Sequence, residues 1–392
     1  MIDRVLLVVL DGVGAGAAPD AAAFGDEGAH TLGHVAEAVG GLHVPNLEAL
    51  GLGHLGLLAG VRRTGQPDGC FGRMAQLSNG KDSTTGHWEM AGVVLEKPFP
   101  TYPQGFPRDV IEAFQQAIGR TTLGNYAASG TIIIQELGVQ HLQTGSPIVY
   151  TSADSVFQVA AHERVIPVEE LYGMCRTARR LLAPPHEVAR VIARPFTGEP
   201  GTFVVRTGGR RDFSVAPPAQ TLLDALKAAG YPVIGIGKIE DLFKGRGLTR
   251  ALPTKNDAET VEAILRTLQS APRGLIFANL IDLDMLYGHR NDAAGFARAL
   301  QAFDARLPDI IGGMRQDDLL CITADHGNDP TRPGTDHTRE YAPLLVYGAR
   351  AARGVNLGTR ESFADLGQTI AEALGIKRLA WGESFLHVVM QG

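Results

Sequence analysis

The segment TADHGNDP, followed by GTDHTREYAP, sets Asp325, His326, Asp336 and His337 within thirteen positions, directly after an apolar run that reads as a strand. Neighbouring carboxylate and imidazole groups are what a divalent cation needs. Mixed oxygen and nitrogen donors suit Mn2+ or Zn2+, whereas thiolates would indicate structural zinc. A lone Asp-His-Gly tripeptide is more often a turn or a helix cap. A second segment, LIDLDMLYGHRND, adds Asp284 and His289, and LDGVGAG adds Asp11. Asp284 and His289 are five apart, which separates them on a continuous helix, so a strand end turning into a loop is expected to bring them together. Singly, Asp11 reads as a helix cap, Asp284 as a turn former and His289 as a surface histidine. Jointly, three carboxylates and three imidazoles at three strand ends supply ligands for two metals roughly 3.5 to 4 Å apart.

Such a site needs something to act on, and GKDSTTGHWEM offers a nucleophile. A Ser or Thr hydroxyl is weak at its free pKa and becomes reactive when a metal binds its oxygen. Gly86, leading into HWEMAG, puts Thr85 at or just before a helix start, where backbone N–H groups favour phosphate and an exposed hydroxyl is expected. Spacing alone does not choose among Ser83, Thr84 and Thr85. The plain alternative for all three is a helix cap. Asn79, Lys81 and Asp82 either orient this loop or are solvated.

The elements that must position these residues are legible as short apolar runs: Val5 to Leu10 before Asp11, Leu275 to Ile281 before Asp282 and Asp284, and Leu319 to Thr323 before Asp325. They read as parallel strands buried on both faces. Helical patterns at Ala258 to Gln269 and Ala293 to Leu307 alternate with them, which indicates a layered α/β core with ligands beyond the carboxyl ends of the strands. Pro-rich stretches at Glu96 to Pro107 and Ala216 to Pro218 read as hinges around an inserted α+β domain. Within it TIIIQEL, PIVYTSAD, RVIARPF and GTFVVRT read as strands, and Asp109 to Ile118 and Val168 to Leu182 as helices.

With 392 residues, 44% hydrophobic and 20% charged, the chain can bury a large core and suits two domains. A net charge of -6 without Lys/Arg runs excludes a nucleic-acid binder, so anionic small molecules must meet local positive charge or metal. Three scattered cysteines outside any CxxC pattern argue against a disulfide framework and fit a reducing cytoplasm. The opening apolar run ends at Asp11, too short for a signal peptide or a membrane span.

The set LDGVGAG, GKDSTTGHWEM, YTSADSVFQVAAHE, GIGKIEDLF, FANLIDLDMLYGHRND and TADHGNDP with GTDHTREYAP resembles the phosphopentomutases, within the alkaline phosphatase superfamily. The metal segments alone point only to the superfamily; STTGHWEM with YTSADS is specific to the mutases. The resemblance implies an alkaline-phosphatase-like core, a mostly parallel sheet flanked by helices, over 1–97 and 217–392, and a substrate-binding cap over 98–216. It also implies two Mn2+ ions held by Asp11, Asp284, His289, Asp325, His326 and His337, with Thr85 carrying the phosphoryl group and binding metal. The reaction implied is interconversion of the 1- and 5-phosphates of ribose and deoxyribose, primed by glucose 1,6-bisphosphate or ribose 1,5-bisphosphate. Ser152 and Asp154 are expected on the sugar hydroxyls, and Arg194 and Lys238 on the distal phosphate. Arg206, Arg210 and Arg211 are secondary candidates for that phosphate, since a run of arginines is usually a solvated face. Partners are small sugar phosphates, with no nucleic acid, membrane or obligate protein partner. Rival readings are another superfamily enzyme, a phosphatase or a cofactor-independent phosphoglycerate mutase, and a silent metal-binding protein.

Overall fold

The computed structural model describes residues 2–152, 154–271 and 273–390. They form two compact units, Met1–Pro98 with Pro217–Gly392, and Phe99–Ala216.

In the first unit the strand Arg4–Leu10, buried throughout, lies at the centre of a sheet. Gly274–Leu280 and Asp318–Thr323 flank it in parallel, with Leu10 level with Leu280 and Val9 level with Thr323. Val233–Ile236 and Arg250–Leu252 extend the parallel set beyond Gly274–Leu280. On the other side Ala342–Tyr347 runs antiparallel, then Cys70–Met74 and Asn356–Arg360 complete the sheet. Alignment of the three central strand ends delivers Asp11, the segment leading to Asp284, and Asp325 to one edge.

Flanking helices begin where the sequence caps them. Asn256 accepts the Glu259 N–H at 2.9 Å, and the helix Asp257–Ser270 buries Val261, Ile264 and Leu268 on one stripe. Arg4, wholly buried, donates to Asp318 and to the Leu268 and Ala271 carbonyls at 2.6 and 2.7 Å, tying the central strand to that helix. Among the described residues no helix is long and apolar enough to cross a membrane.

The second unit is a sheet in the order Leu123–Ala127, Ile148–Thr151, Val156–His162, Arg190–Thr197 and Val204–Val205, with Arg211–Ser214 also pairing Arg190–Thr197. Alternation divides its core. Val149, Phe157, Val159 and Val191 pack with the helices Arg108–Ile118 and Val168–Leu181. Ile148, Tyr150, Ala160 and Phe196 pack with Ile133 and Ile134. The last two correct the sequence reading: TIIIQEL is not a strand but the start of the helix Gly130–Thr144. Its buried positions, Ile133, Ile134, Gly138 and His141, recur at helical spacing, and that period outweighs the local β-branched run. GTFVVRT contributes only the strand Val204–Val205.

Candidate active site

Asp11 is fully buried just past the central strand, its Oδ2 accepting from Asn279 Nδ2 at 3.2 Å. No hydrogen bond reaches its Oδ1, although His326 Nε2 lies 3.3 Å away. Asp325 is also fully buried. Its Oδ1 accepts from the Gly12 N–H at 3.2 Å, while Oδ2 has no hydrogen bond, with His87 Nδ1 at 3.2 Å and His326 Nε2 at 3.4 Å. A carboxylate oxygen buried without a partner costs several kcal/mol, so both oxygens call for a cation. Burial alone would lower the His326 pKa, yet Asp325 and Asp11 outweigh it and push it up to about 10. The acids thus recruit positive charge even in the form of a proton.

A few ångströms away Asp284 meets two more imidazoles, with His289 Nε2 3.3 Å from its Oδ2 and His337 Nε2 3.4 Å from its Oδ1. Burial would raise the Asp284 pKa, but His337 and His289 hold it well below the usual carboxylate range. His289 and His337 point their Nε2 atoms at one another, 3.1 Å apart. The five-residue spacing is bridged by a π turn over Leu283–Tyr287, which holds Asp284, followed by a 3-10 turn over Gly288–Arg290, which holds His289, rather than the expected open loop. His289 Nδ1 donates to the Thr335 carbonyl at 2.6 Å and His326 Nδ1 to the Gly327 carbonyl at 3.0 Å. Those bonds orient each ring so that Nε2 faces the acids, the atom that would bind a cation once its proton is displaced. Ligand atoms of Asp11, Asp284 and His326 lie within 4.8 Å of one another, and so do those of Asp284, His289 and His337. The two sets share Asp284, and Asp325 joins them through His326 Nε2 at 3.4 Å, so the six predicted residues form one cluster. The orphaned oxygens and the mixed donors fit divalent cations.

Ser83–Met90 forms the helix beside this cluster, capped by Asp82. Thr85 is its third residue and 1% exposed, so the expected exposed hydroxyl is in fact buried. Its N–H and Oγ1 donate to Asp82 Oδ1 and Oδ2 at 3.1 and 2.6 Å. Gly86 explains the close approach: a Cβ there would stand 2.1 Å from the Asp325 carbonyl. Ser83 Oγ lies 3.1 Å from His326 Nε2. The sequence reading passed over His87, whose Nδ1 donates to the Ser83 carbonyl at 2.8 Å while facing Asp325. It also passed over Asn328, which donates to Asp284 Oδ1 at 2.6 Å. His87 was in plain view in GHWEM, but burial gives it meaning and spacing cannot. Lys238, at the start of the helix Ile239–Phe243, places Nζ 3.7 Å from Asp11 Oδ2, on the acid cluster.

The second unit holds its own polar cluster on one sheet face. Tyr150 pairs with Gln158, Gln158 with Ile192 and Ile192 with Asp212, while Arg190 and Arg194 alternate onto the same face. Arg194 Nε donates to Gln158 Oε1 at 2.9 Å, and Arg190 reaches Asp154 Oδ2 at 3.1 Å. Ser152 is half-buried just past Ile148–Thr151. At an exposed position Arg210 turns onto Asp212 with two bonds of 3.0 Å, and Arg206 pairs with Glu163 at the surface. Tyr150 Oη is buried without a hydrogen-bond partner, and only glycine at 130 leaves it room, since a Cβ there would come within 2.6 Å.

The model of the metalloenzyme superfamily matches residues 3–378. A phosphopentomutase of Dictyoglomus turgidum is 57% identical over 389 residues, covering 99% of this chain and 98% of the relative. The chain belongs to the phosphopentomutase family. A phosphopentomutase of Clostridium novyi is 54% identical over 391 residues, covering 100% of both chains. Family membership makes the chain an enzyme, and the superfamily match together with the acid and imidazole cluster makes it a metal-dependent one. A solved protein from Pyrococcus horikoshii matches with a TM-score of 0.50 at 14% identity, over 95% of this chain and 98% of its own, a likeness of fold alone.

Proposed function

We propose that the chain interconverts the 1- and 5-phosphates of ribose and deoxyribose, with Thr85 carrying the phosphoryl group. The observation that carries this reading is the pair of buried, unpartnered carboxylate oxygens, Asp11 Oδ1 and Asp325 Oδ2, beside the start of the Thr85 helix. Asp11, Asp284, His289, Asp325, His326 and His337 would hold two Mn2+ ions. Bound there, the metals supply the positive charge that a loose phosphoryl-transfer transition state needs.

The chain's own groups do the rest. The start of the helix Ser83–Met90 favours an anion beside Thr85, and Asp82 holds the free hydroxyl through Oδ2 at 2.6 Å. In the forward half-reaction the P–Oγ1 bond of phosphorylated Thr85 breaks as a bond to O1 of ribose 5-phosphate forms, and the O1 proton ends on Thr85 Oγ1. The 1,5-bisphosphate turns over and returns its 5-phosphate to Thr85, the proton passing to O5. Glucose 1,6-bisphosphate or ribose 1,5-bisphosphate primes chains that have lost the phosphate. Residues 98–216 act as the substrate-binding cap, with Ser152 and Asp154 on the sugar hydroxyls and Arg194, joined by Arg210, on the distal phosphate. Lys238, so close to Asp11, serves the phosphate at the metal end. The free, buried cysteines suit a cytoplasmic enzyme.

A coupled assay with ribose 5-phosphate and Mn2+ tests the function, reading ribose 1-phosphate against free phosphate; release of phosphate alone would leave a phosphatase. The 3.1 Å contact of Ser83 Oγ with His326 makes Ser83 the alternative carrier, and peptide mapping of the phosphate decides between them.

A further inference from the structure

We infer that Arg339 is the positioning residue of the phosphoryl-carrying segment: its guanidinium grips the backbone of residues 76–80 and thereby fixes where the Thr85 helix begins. This rests on the reading of Thr85 as carrier.

The Arg339 side chain is 2% exposed and lies two residues past His337. NH1 donates to the carbonyls of Ser78 and Gly80 at 2.9 and 2.6 Å and to Gln76 Oε1 at 2.9 Å. NH2 donates to the Gln76 carbonyl at 2.6 Å and Asp20 Oδ2 at 2.8 Å, and Nε to Asp20 Oδ1 at 3.0 Å. Every nitrogen is engaged, so no donor is left for a phosphate and the residue acts through the loop. Three backbone carbonyls converge on one planar fork, a geometry that the single ammonium of lysine cannot reproduce.

The grip is backed from both sides. The Arg339 N–H donates to Asp26 Oδ2 at 2.8 Å, the oxygen that also takes Lys81 Nζ at 3.0 Å. Lys81 reaches Asp336 Oδ2 at 3.2 Å as well. Glu89, on the Thr85 helix, accepts the Leu77 and Ser78 N–H groups at 2.8 and 2.6 Å. Residues 76–81 are therefore pinned by their carbonyls to the segment that carries His337, ahead of the strand Ala342–Tyr347, and by their amides to the helix that carries Thr85. Loss of the fork frees the carbonyl side and lets the helix start drift while the acids and imidazoles stay in place.

The test compares wild type, Arg339→Lys, Arg339→Ala and Asp20→Asn as full-length, Mn-loaded protein. With ribose 5-phosphate, Arg339→Lys and Arg339→Ala should lower kcat about 100-fold with KM within about twofold, since a displacement near 1 Å is enough for such a loss. Metal content should match wild type. Methylguanidinium should restore about tenfold of the Arg339→Ala loss and nothing in Arg339→Lys, because only the former leaves a guanidinium-shaped gap. Asp20→Asn, which frees the outer end of the fork at a half-exposed carboxylate, should lower kcat less and leave the melting temperature unchanged; it keeps the test open if Arg339→Ala does not fold. Wild-type kcat in both Arg339→Lys and Asp20→Asn, or a loss confined to KM or metal content, overturns the assignment. Peptide mapping of the phosphate in wild type judges Thr85 as carrier separately.

Discussion

Thr85 stands where a hydroxyl, a helix start and the acid cluster meet, so removing its oxygen should stop turnover while metal content stays at the wild-type level. Since Thr85 is buried and bonded to Asp82, Thr85→Ala should also cost on the order of 1 kcal/mol of stability. Intact mass should show the phosphate on wild type alone; substantial mutase activity in the alanine variant would sink the assignment. At His337 the expectation differs. His337→Ala leaves Asp284 buried with fewer cationic partners, so metal and activity should fall together, and chelation of wild type should do the same reversibly. Metal analysis alongside kinetics checks this, and full activity in metal-free protein would rule out the two-metal mechanism. The places of Asp11 and Asp325 were legible because each follows an apolar run that stops at Asp, a strand end announced in the sequence. His87, Asn328 and Arg339 were not, because each owes its place to burial and to partners far along the chain.

Elements, rather than residues, decide which pairs meet. A five-residue spacing that an α-helix would splay is closed by the change from the π turn at Leu283–Tyr287 to the 3-10 turn at Gly288–Arg290, something no pattern of apolar residues announces. TIIIQEL misled for the opposite reason, as a local run of β-branched residues lay inside a longer helical period. In the second unit Asp212 meets Arg190 across the strand pair at 3.5 Å and Arg210, just before its own strand, at 3.0 Å. Burial would raise this carboxyl, but Arg210 and Arg190 outweigh it and hold it at about 2, below its ordinary value of 3.8. A depressed folded pKa stabilises above the unfolded value and loses that contribution as pH falls through the folded one. Asp212→Asn should therefore lower stability by on the order of 2 kcal/mol at pH 7, with the gap closing between about pH 4 and pH 2. Denaturant titrations across that range are the check, and a gap independent of pH would show that the ion pairs are not its source.

At the scale of the whole molecule, the same metals and the same phosphothreonine could pass their phosphate to water as readily as to a sugar. What separates mutase from phosphatase must lie outside the acid cluster, and residues 98–216 are the segment with a core and a polar cluster of their own. Replacing them with a short Gly/Ser linker should abolish mutase activity yet leave slow Mn2+-dependent hydrolysis of an aryl phosphate through Thr85. Circular dichroism and metal analysis must first show a folded core. A folded, capless core that still isomerises ribose 5-phosphate would place specificity elsewhere.

The central strand Arg4–Leu10 has as neighbours only strands that begin at residues 274 and 318. On the ribosome, then, this strand is made long before the partners that complete its sheet. Asp11 and Thr85 leave the exit tunnel long before His337, and for most of translation the acids have no imidazoles beside them. Phe99–Ala216, with strands and helices all contributed from within itself, can collapse first while the surrounding chain waits. On the proposed two-metal reading, ion capture must wait for these late strands: a nascent polypeptide stalled before residue 318 should bind Mn2+ no better than an unfolded one.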